Sequence, residues 1–383
     1  MFYIQHGYGK SNKIDDVVAR GSVHGVILSP GHEDTSTLES SAAAYAAAGL
    51  DVLVDPQSYI YSTRPKGTLR FHARNGVDLS KMSWAGSATS VLADISKVEE
   101  LGLRLGLNAR MIAPSPYHAS FGDYWMPTAL QYARTAASEW RSRDVLATIA
   151  ISQDALADWA IVEEWLDAAT TLDVAGFYLV VSRSDTSYPP VPWNPRLLAN
   201  LLRVIHTLSV VNGFEVIWGY ADVDGLLGLA VGANGMAAGW SYSLRQFSND
   251  RYFTERGGGA QPIPRILVRE LLSAMRTTEI ADILELAPTG EFTTLATAMP
   301  SSVTSLSNPD AQVRHLVELS VLASSIADLR LPERFDAVRN GVEDAISKFE
   351  RLAELNISVD GRYVSRLRSY SEALSLFDRE VAR

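Results

Sequence analysis

The chain has 383 residues, a formal net charge of −10, 47% hydrophobic and 20% charged residues, and no cysteine. That size and composition supply a sizeable core, and the missing cysteines exclude disulfides, thiolate zinc sites and cysteine nucleophiles. The acidic balance disfavours broad non-specific binding to nucleic acid or anionic membrane. No apolar run approaches the ~20 residues that span a bilayer, and the start, MFYIQHGYGK, lacks a basic segment ahead of an apolar one. A soluble cytoplasmic protein without membrane contact is the expectation.

In chain order, residues 2–5 read as a short apolar strand ending in His6-Gly7-Tyr8-Gly9-Lys10. A helix-compatible stretch over 13–20 follows, then a strand over 24–28 that ends at Ser29-Pro30-Gly31-His32-Glu33-Asp34. Thr35 or Ser36 caps an Ala-rich helix reaching Ala48, and Gly49 stops it. The third strand, 52–54, is a continuous apolar run of the kind buried on both faces of a parallel sheet. Pro56 cannot continue a central ladder, so Asp55 falls at the strand's carboxyl end. A long loop over 56–88 carries a basic group, Arg64, Lys66, Arg70, His72 and Arg74, before a helix that ends near Leu105. Residues 110–113, 145–151, 175–181, 214–218 and 235–238 are the fourth to eighth strands. Helices over 123–141, from Ser152-Gln153-Asp154 to Thr171, over 195–211, and briefly after Asp222 separate them. Beyond a loop with Gly257, Gly258 and Gly259, a last helix is expected over 266–277.

Eight apolar strands alternating with helices is the count of a (β/α)8 TIM-type barrel. An open doubly wound sheet is the alternative, and it lacks a glycine-rich phosphate fingerprint after the first strand. Residues 1–287 are read as the barrel, 288–310 as a linker rich in Thr, Ser and Pro, and 311–383 as a C-terminal helical module. The module has apolar residues at three- and four-residue spacing, suited to packing on the barrel, to a protein partner or to self-association.

A barrel gathers its active site at the carboxyl ends of its strands, so the tips are considered together. Asp55, Asp185 and Asp222 are the candidate catalytic carboxylates, with Asp55 foremost because Pro56-Gln57 starts no helix for it to cap. Gln57, Tyr59, His32, His118, Gln153, Arg183, Tyr220, Trp240 and Arg245 are the candidate substrate-binding residues. Amides that bond to a ring's edge and aromatics that stack on its face suit a flat polar ring. Structural roles compete with this reading. Asp34, Asp154 and Asp222 stand where helix N-caps belong, Asp185 lies in a turn, and Trp240 fits a core. His6, His32, Glu33 and His118 offer metal-ligand types on three tips, but without an HxH or HExxH spacing no metal and no cofactor is expected.

The run Asp55-Pro56-Gln57-Ser58-Tyr59 resembles the Asp-Ser-Gly-Gly-Phe-Gln motif of the tRNA-guanine transglycosylase superfamily, which includes DNA-modifying relatives. Gly176 to Val180 resembles that family's Gly-Leu-Ala-Val-Gly strand, and Trp218-Gly219-Tyr220-Ala221 its Met-Gly-Val-Gly turn. Arg245 or Arg251 followed by Phe253-Thr254 is similar to its Arg-then-Phe-Thr pattern. The likeness covers residues 2–260 and implies a barrel that handles a nucleobase or an N-glycosidic bond in nucleic acid or a nucleoside. The family's zinc site has no counterpart in a chain without cysteine, and its eighth-strand nucleophilic Asp falls near Ala237 or Ala238. Two other functions stay open: a barrel hydrolase using two carboxylates among Glu33, Asp55, Asp185 and Asp222, and a non-catalytic barrel serving as an interaction subunit.

Overall fold

A computed structural model describes residues 1–63, 70–79, 87–123, 125–252, 263–288, 290–292, 295, 299 and 302–381. Among the described residues nine strands, mostly buried, form one sheet: β1 (Phe2–Gln5), β2 (Gly25–Leu28), β3 (Asp51–Val54), β4 (Arg110–Ile112), β5 (Tyr117–His118), β6 (Asp144–Ser152), β7 (Gly176–Ser182), β8 (Glu215–Gly219) and β9 (Gly235–Ala238). All their pairings are parallel, in the order β3-β2-β1-β9-β8-β7-β6-β4, with the two-residue β5 added to β6. β1 therefore lies between β2 and β9, with Tyr3 opposite both Gly25 and Ala237. The sheet curls into a nearly closed barrel, the (β/α)8 TIM-type architecture expected from the strand count.

Among the described residues no ladder joins β3 to β4. An ion pair bridges that seam at the amino ends of the strands, Arg110 with Asp51, and Arg110 also pairs with Glu215 of β8. Tyr3 donates to Asp51 at 2.9 Å and accepts from Arg110 at 3.2 Å. This end is thus plugged by an ion cluster, and the opposite end is left to the loops.

Helices α1 (Lys13–Val18), α2 (Thr35–Ala47), α3 (Arg70–Arg74), α4 (Ala88–Arg104), α5 (Trp125–Glu139), α6 (Trp159–Ala169), α7 (Pro195–His206) and α8 (Gly225–Ala230) follow the strands. Asp34 caps α2, accepting from the Thr37 N–H at 3.0 Å, as its position implies. The expected cap at Asp154 is different. Ser152 accepts from the Asp154 N–H over a 3-10 turn, Gln153–Leu156, and Asp158 caps α6 instead.

The helix expected over 266–277 is replaced by an antiparallel hairpin, β10 (Arg265–Val268) and β11 (Ser273–Arg276). Its turn is a 3-10 segment closed by Leu272 in the left-handed region, with φ of 44°. A short apolar run fits either period. The burial of Ile266, Leu267 and Val268 beside a later helix decides it as strand. Helix α9 (Thr277–Leu286) follows. The three C-terminal helices form where apolar periodicity places them: α10 (Asn308–Ala327), α11 (Leu331–Glu354) and α12 (Arg362–Val381). α10 packs on α1, α8, β1 and β10, the flank that an eighth barrel helix would cover. α11 lies on α8, and α12 on α7 and α11. Barrel and helices share one continuous apolar core. Among the described residues no helix is long and apolar enough to cross a membrane.

Candidate active site

The apolar run of β3 delivers Asp55 to the barrel's carboxyl end, fully buried. Gln57, held left-handed at φ 51°, turns the chain into the 3-10 segment Ser58–Thr63, and its N–H bonds Asp55 Oδ1 at 2.9 Å. Three phenols converge on the other oxygen. Tyr59 approaches Asp55 Oδ2 at 2.7 Å, and Tyr178 and Tyr220 at 3.2 Å each. Tyr178 stands inside β7 and lies against Gly219, where an added Cβ would meet its ring at 2.7 Å. Its hydroxyl has a second acceptor, Gln5 Oε1, at 2.9 Å. Gln57 donates to the Tyr220 hydroxyl at 3.0 Å and accepts from Ser29 Oγ. Gln5 Nε2 is buried and unpaired among the described residues. Phe247, from the loop after β9, is buried against the group, with its ring 5.2 Å from that of Tyr59 and 5.4 Å from that of Tyr220.

Burial pushes the Asp55 carboxyl from its ordinary 3.8 up to about 6, against the pull of Tyr59, the Gln57 N–H, Tyr178 and Tyr220. Burial and the adjacent carboxylate hold Tyr59 and Tyr178 well above the usual phenol range, so these two are neutral donors. A proton taken up at Oδ1, which accepts only the Gln57 N–H, leaves the phenols in place, whereas one at Oδ2 displaces a phenol, and Tyr178 has Gln5 as its other acceptor. The arrangement is a fully buried, proton-accepting carboxylate.

A second buried carboxylate, Asp222, lies just after β8. It bonds His315 Nε2 of α10 at 2.7 Å and the Tyr188 hydroxyl at 2.9 Å. Arg245 donates to the Gly239 and Trp240 carbonyls and reaches Tyr188 at 3.4 Å. Burial alone would raise Asp222, but His315, Arg245 and Arg366 carry it down to about 2. His315 itself is lowered, chiefly by burial and then by Arg245. An ionised Asp222 accepting from the Nε2–H of a neutral His315 satisfies both directions, so Asp222 is no free cap and no free base.

A third network holds Arg183. It donates to Gln153 Oε1 and the Val191 carbonyl, both at 2.7 Å, and stacks 3.8 Å over Trp193. Asp224 joins that network to α12 through Arg366 at 2.8 Å and Tyr370, and accepts from Trp193 Nε1 at 2.7 Å. Gln153 and Arg183 are therefore engaged with each other and with the helix junction.

The remaining candidates stand apart. Asp185 is tied to Ser187, shaping its turn, while its carbonyl accepts from Gln246. His118 faces Asp123 at 3.5 Å. Trp240 is buried, donates to the Tyr8 carbonyl at 3.0 Å and packs edge-on to His6, a core role. His32 is half-buried in the turn after β2. In the basic group, His72 is buried beside Tyr61 and lowered to about 3 by burial, so it is uncharged. Arg64, Lys66, Phe253, Thr254, Gly257, Gly258, Gly259 and the Arg70 side chain lie outside the described residues. No group of three or more His, Asp or Glu side chains among the described residues is placed to hold a metal ion.

The structure thus unites Asp55, Gln57, Tyr59 and Tyr220 and adds Tyr178 and Phe247, which sequence reasoning left out. Tyr178 carried a usable signal, because a hydroxyl in the middle of a buried strand must find a partner. His315 carried a similar one, an imidazole on an apolar helix face. Compared with protein-family models and with curated proteins, the chain matches none.

Proposed function

We propose that this barrel is an enzyme that handles a nucleobase or the N-glycosidic bond carrying it, in nucleic acid or a nucleoside, with Asp55 as nucleophile or general base. The observation that carries the reading is the convergence of three phenols and two carboxamides, Gln5 and Gln57, around one buried carboxylate at the carboxyl ends of the strands. Ionised, Asp55 adds to an anomeric carbon as the C–N bond breaks and its electron pair leaves with the base, or it takes a proton from the attacking nucleophile. A carboxyl that titrates at about 6 holds and releases such a proton near neutral pH. The unpaired Gln5 Nε2 donor and the Gln57 amide suit a ring's edge, and Phe247 with Tyr59 and Tyr220 suits its face. A ring reaches Asp55 by displacing Phe247. The reading follows the transglycosylase-like order of motifs, and it places the protein in the cytoplasm as part of the same proposal.

The test is a panel of purines, 7-deazapurines, nucleosides, tRNA and DNA, followed by mass spectrometry of released or exchanged base and by structures of soaked crystals. Turnover that is lost in a folded Asp55→Asn variant supports the proposal. Unchanged turnover in that variant removes Asp55 from the chemistry, and no binding or turnover across the panel overturns the reading.

One observation favours a second reading, a non-catalytic barrel that works as an interaction subunit through residues 311–383. Asp55 already has both oxygens engaged and has no exposure. Self-association or a stable complex lost on changing exposed residues of α11, together with a silent substrate panel, would establish that role.

A further inference from the structure

Two residues of the turn after β8, Tyr220 and Asp222, are left-handed, with φ of 56° and 45°. Such backbone is costly for residues with side chains and persists where surroundings over-determine it. Between them, the Ala221 N–H is held by the Ala237 carbonyl at 2.8 Å. On one side of the turn Tyr220 reaches Asp55 at 3.2 Å, and on the other Asp222 is gripped by His315 and Tyr188. His315 has no exposure, and its Nδ1 is unpaired among the described residues. An apolar side chain in its place would avoid that unpaired atom.

We infer that His315 is a positioning residue: through Asp222 it holds the left-handed turn that sets the Tyr220 hydroxyl on Asp55. A helix from the far end of the chain then maintains the geometry of the barrel's mouth. The groups bearing on His315 are Asp222, Arg245 and Arg366, and none of them bonds Tyr220 or Asp55 directly. As a role in a reaction the inference rests on the function proposed above; as a statement about Asp55 it does not.

Infrared titration tests it, with Asp55→Asn identifying the Asp55 carboxyl band. In His315→Ala the Tyr220 hydroxyl leaves Asp55, and the Asp55 midpoint rises by about one unit, the worth of one hydrogen bond to a carboxylate. His315→Gln, whose amide donates to Asp222, brings the midpoint back. Tyr188→Phe removes the other donor to Asp222 and moves the midpoint the same way by less, which keeps the test open should His315→Ala not fold. An unmoved Asp55 midpoint in whichever of these variants folds, or a rise that His315→Gln does not reverse, overturns the inference. A residue that only packed would lower the melting temperature without moving Asp55. The titration uses no substrate, so its failure and a failure of the nucleobase reading are separate results.

Discussion

Asp55 and Asp222 are both fully buried carboxylates at the carboxyl ends of barrel strands, yet their protons are held very differently. Asp55 is surrounded by phenols and carboxamides and is pushed up to about 6 by burial. Asp222 meets an imidazole N–H and the field of two guanidinium groups, and is pulled down to about 2. Equal burial therefore yields a proton carrier in one place and a fixed anion in the other. Neutral donors stabilise a carboxylate less than cations do, and in a dry site that difference decides the protonation state. The first environment suits chemistry, and the second ties loops to helices.

The comparison breaks most severely at the helix junction. Arg366→Ala leaves Asp224 buried with its main cationic partner gone, and we expect a loss of about 4 kcal/mol in denaturant unfolding. Asp55→Asn should fold and should flatten one part of the stability–pH curve. The folded Asp55 carboxyl binds its proton more tightly than the unfolded one. Its contribution is thus complete below about 3.8 and lost as pH rises through about 6, about 3 kcal/mol in all. Asp222 has the opposite slope: its contribution is present above 3.8 and lost as pH falls through about 2. Chemical denaturation at intervals from pH 2 to pH 8 separates the two, because the Asp222 slope falls below 3.8 and the Asp55 slope between 3.8 and about 6.

Phe247→Ala sharpens the contrast by wetting one site only. It should cost about 3 kcal/mol for the lost ring and let the Asp55 carboxyl fall back toward 3.8, with Asp222 unaffected. A midpoint that stays near 6 in the folded variant would show that this ring is not what keeps Asp55 dry. The smallest effect belongs to Tyr220→Phe, which removes one donor to Asp55 and the acceptor of Gln57. We expect about 1 kcal/mol of lost stability and a rise in the Asp55 midpoint, read by the same titration.

Local pattern by itself determined much of this protein. Short apolar runs spaced by amphipathic stretches specify eight parallel strands and their helices, and Pro56 alone ends β3 so that Asp55 stands at its tip. Three- and four-residue periodicity places α10, α11 and α12 close to where they form. Neighbours across the fold decided the rest. Residues 266–277 fit either period, and only packing against α10 makes them a hairpin. Asp222, Arg183 and Trp240 read as mouth residues because a strand tip does not reveal which way a side chain turns. Tyr178 and Tyr220 meet Asp55 across 123 and 165 residues, and His315 meets Asp222 across 93. Hydrophobic periodicity is a property of adjacent residues. The charge and burial around a carboxylate depend on groups brought together from distant parts of the chain, and they emerge only when the barrel closes and the last helices cover its flank.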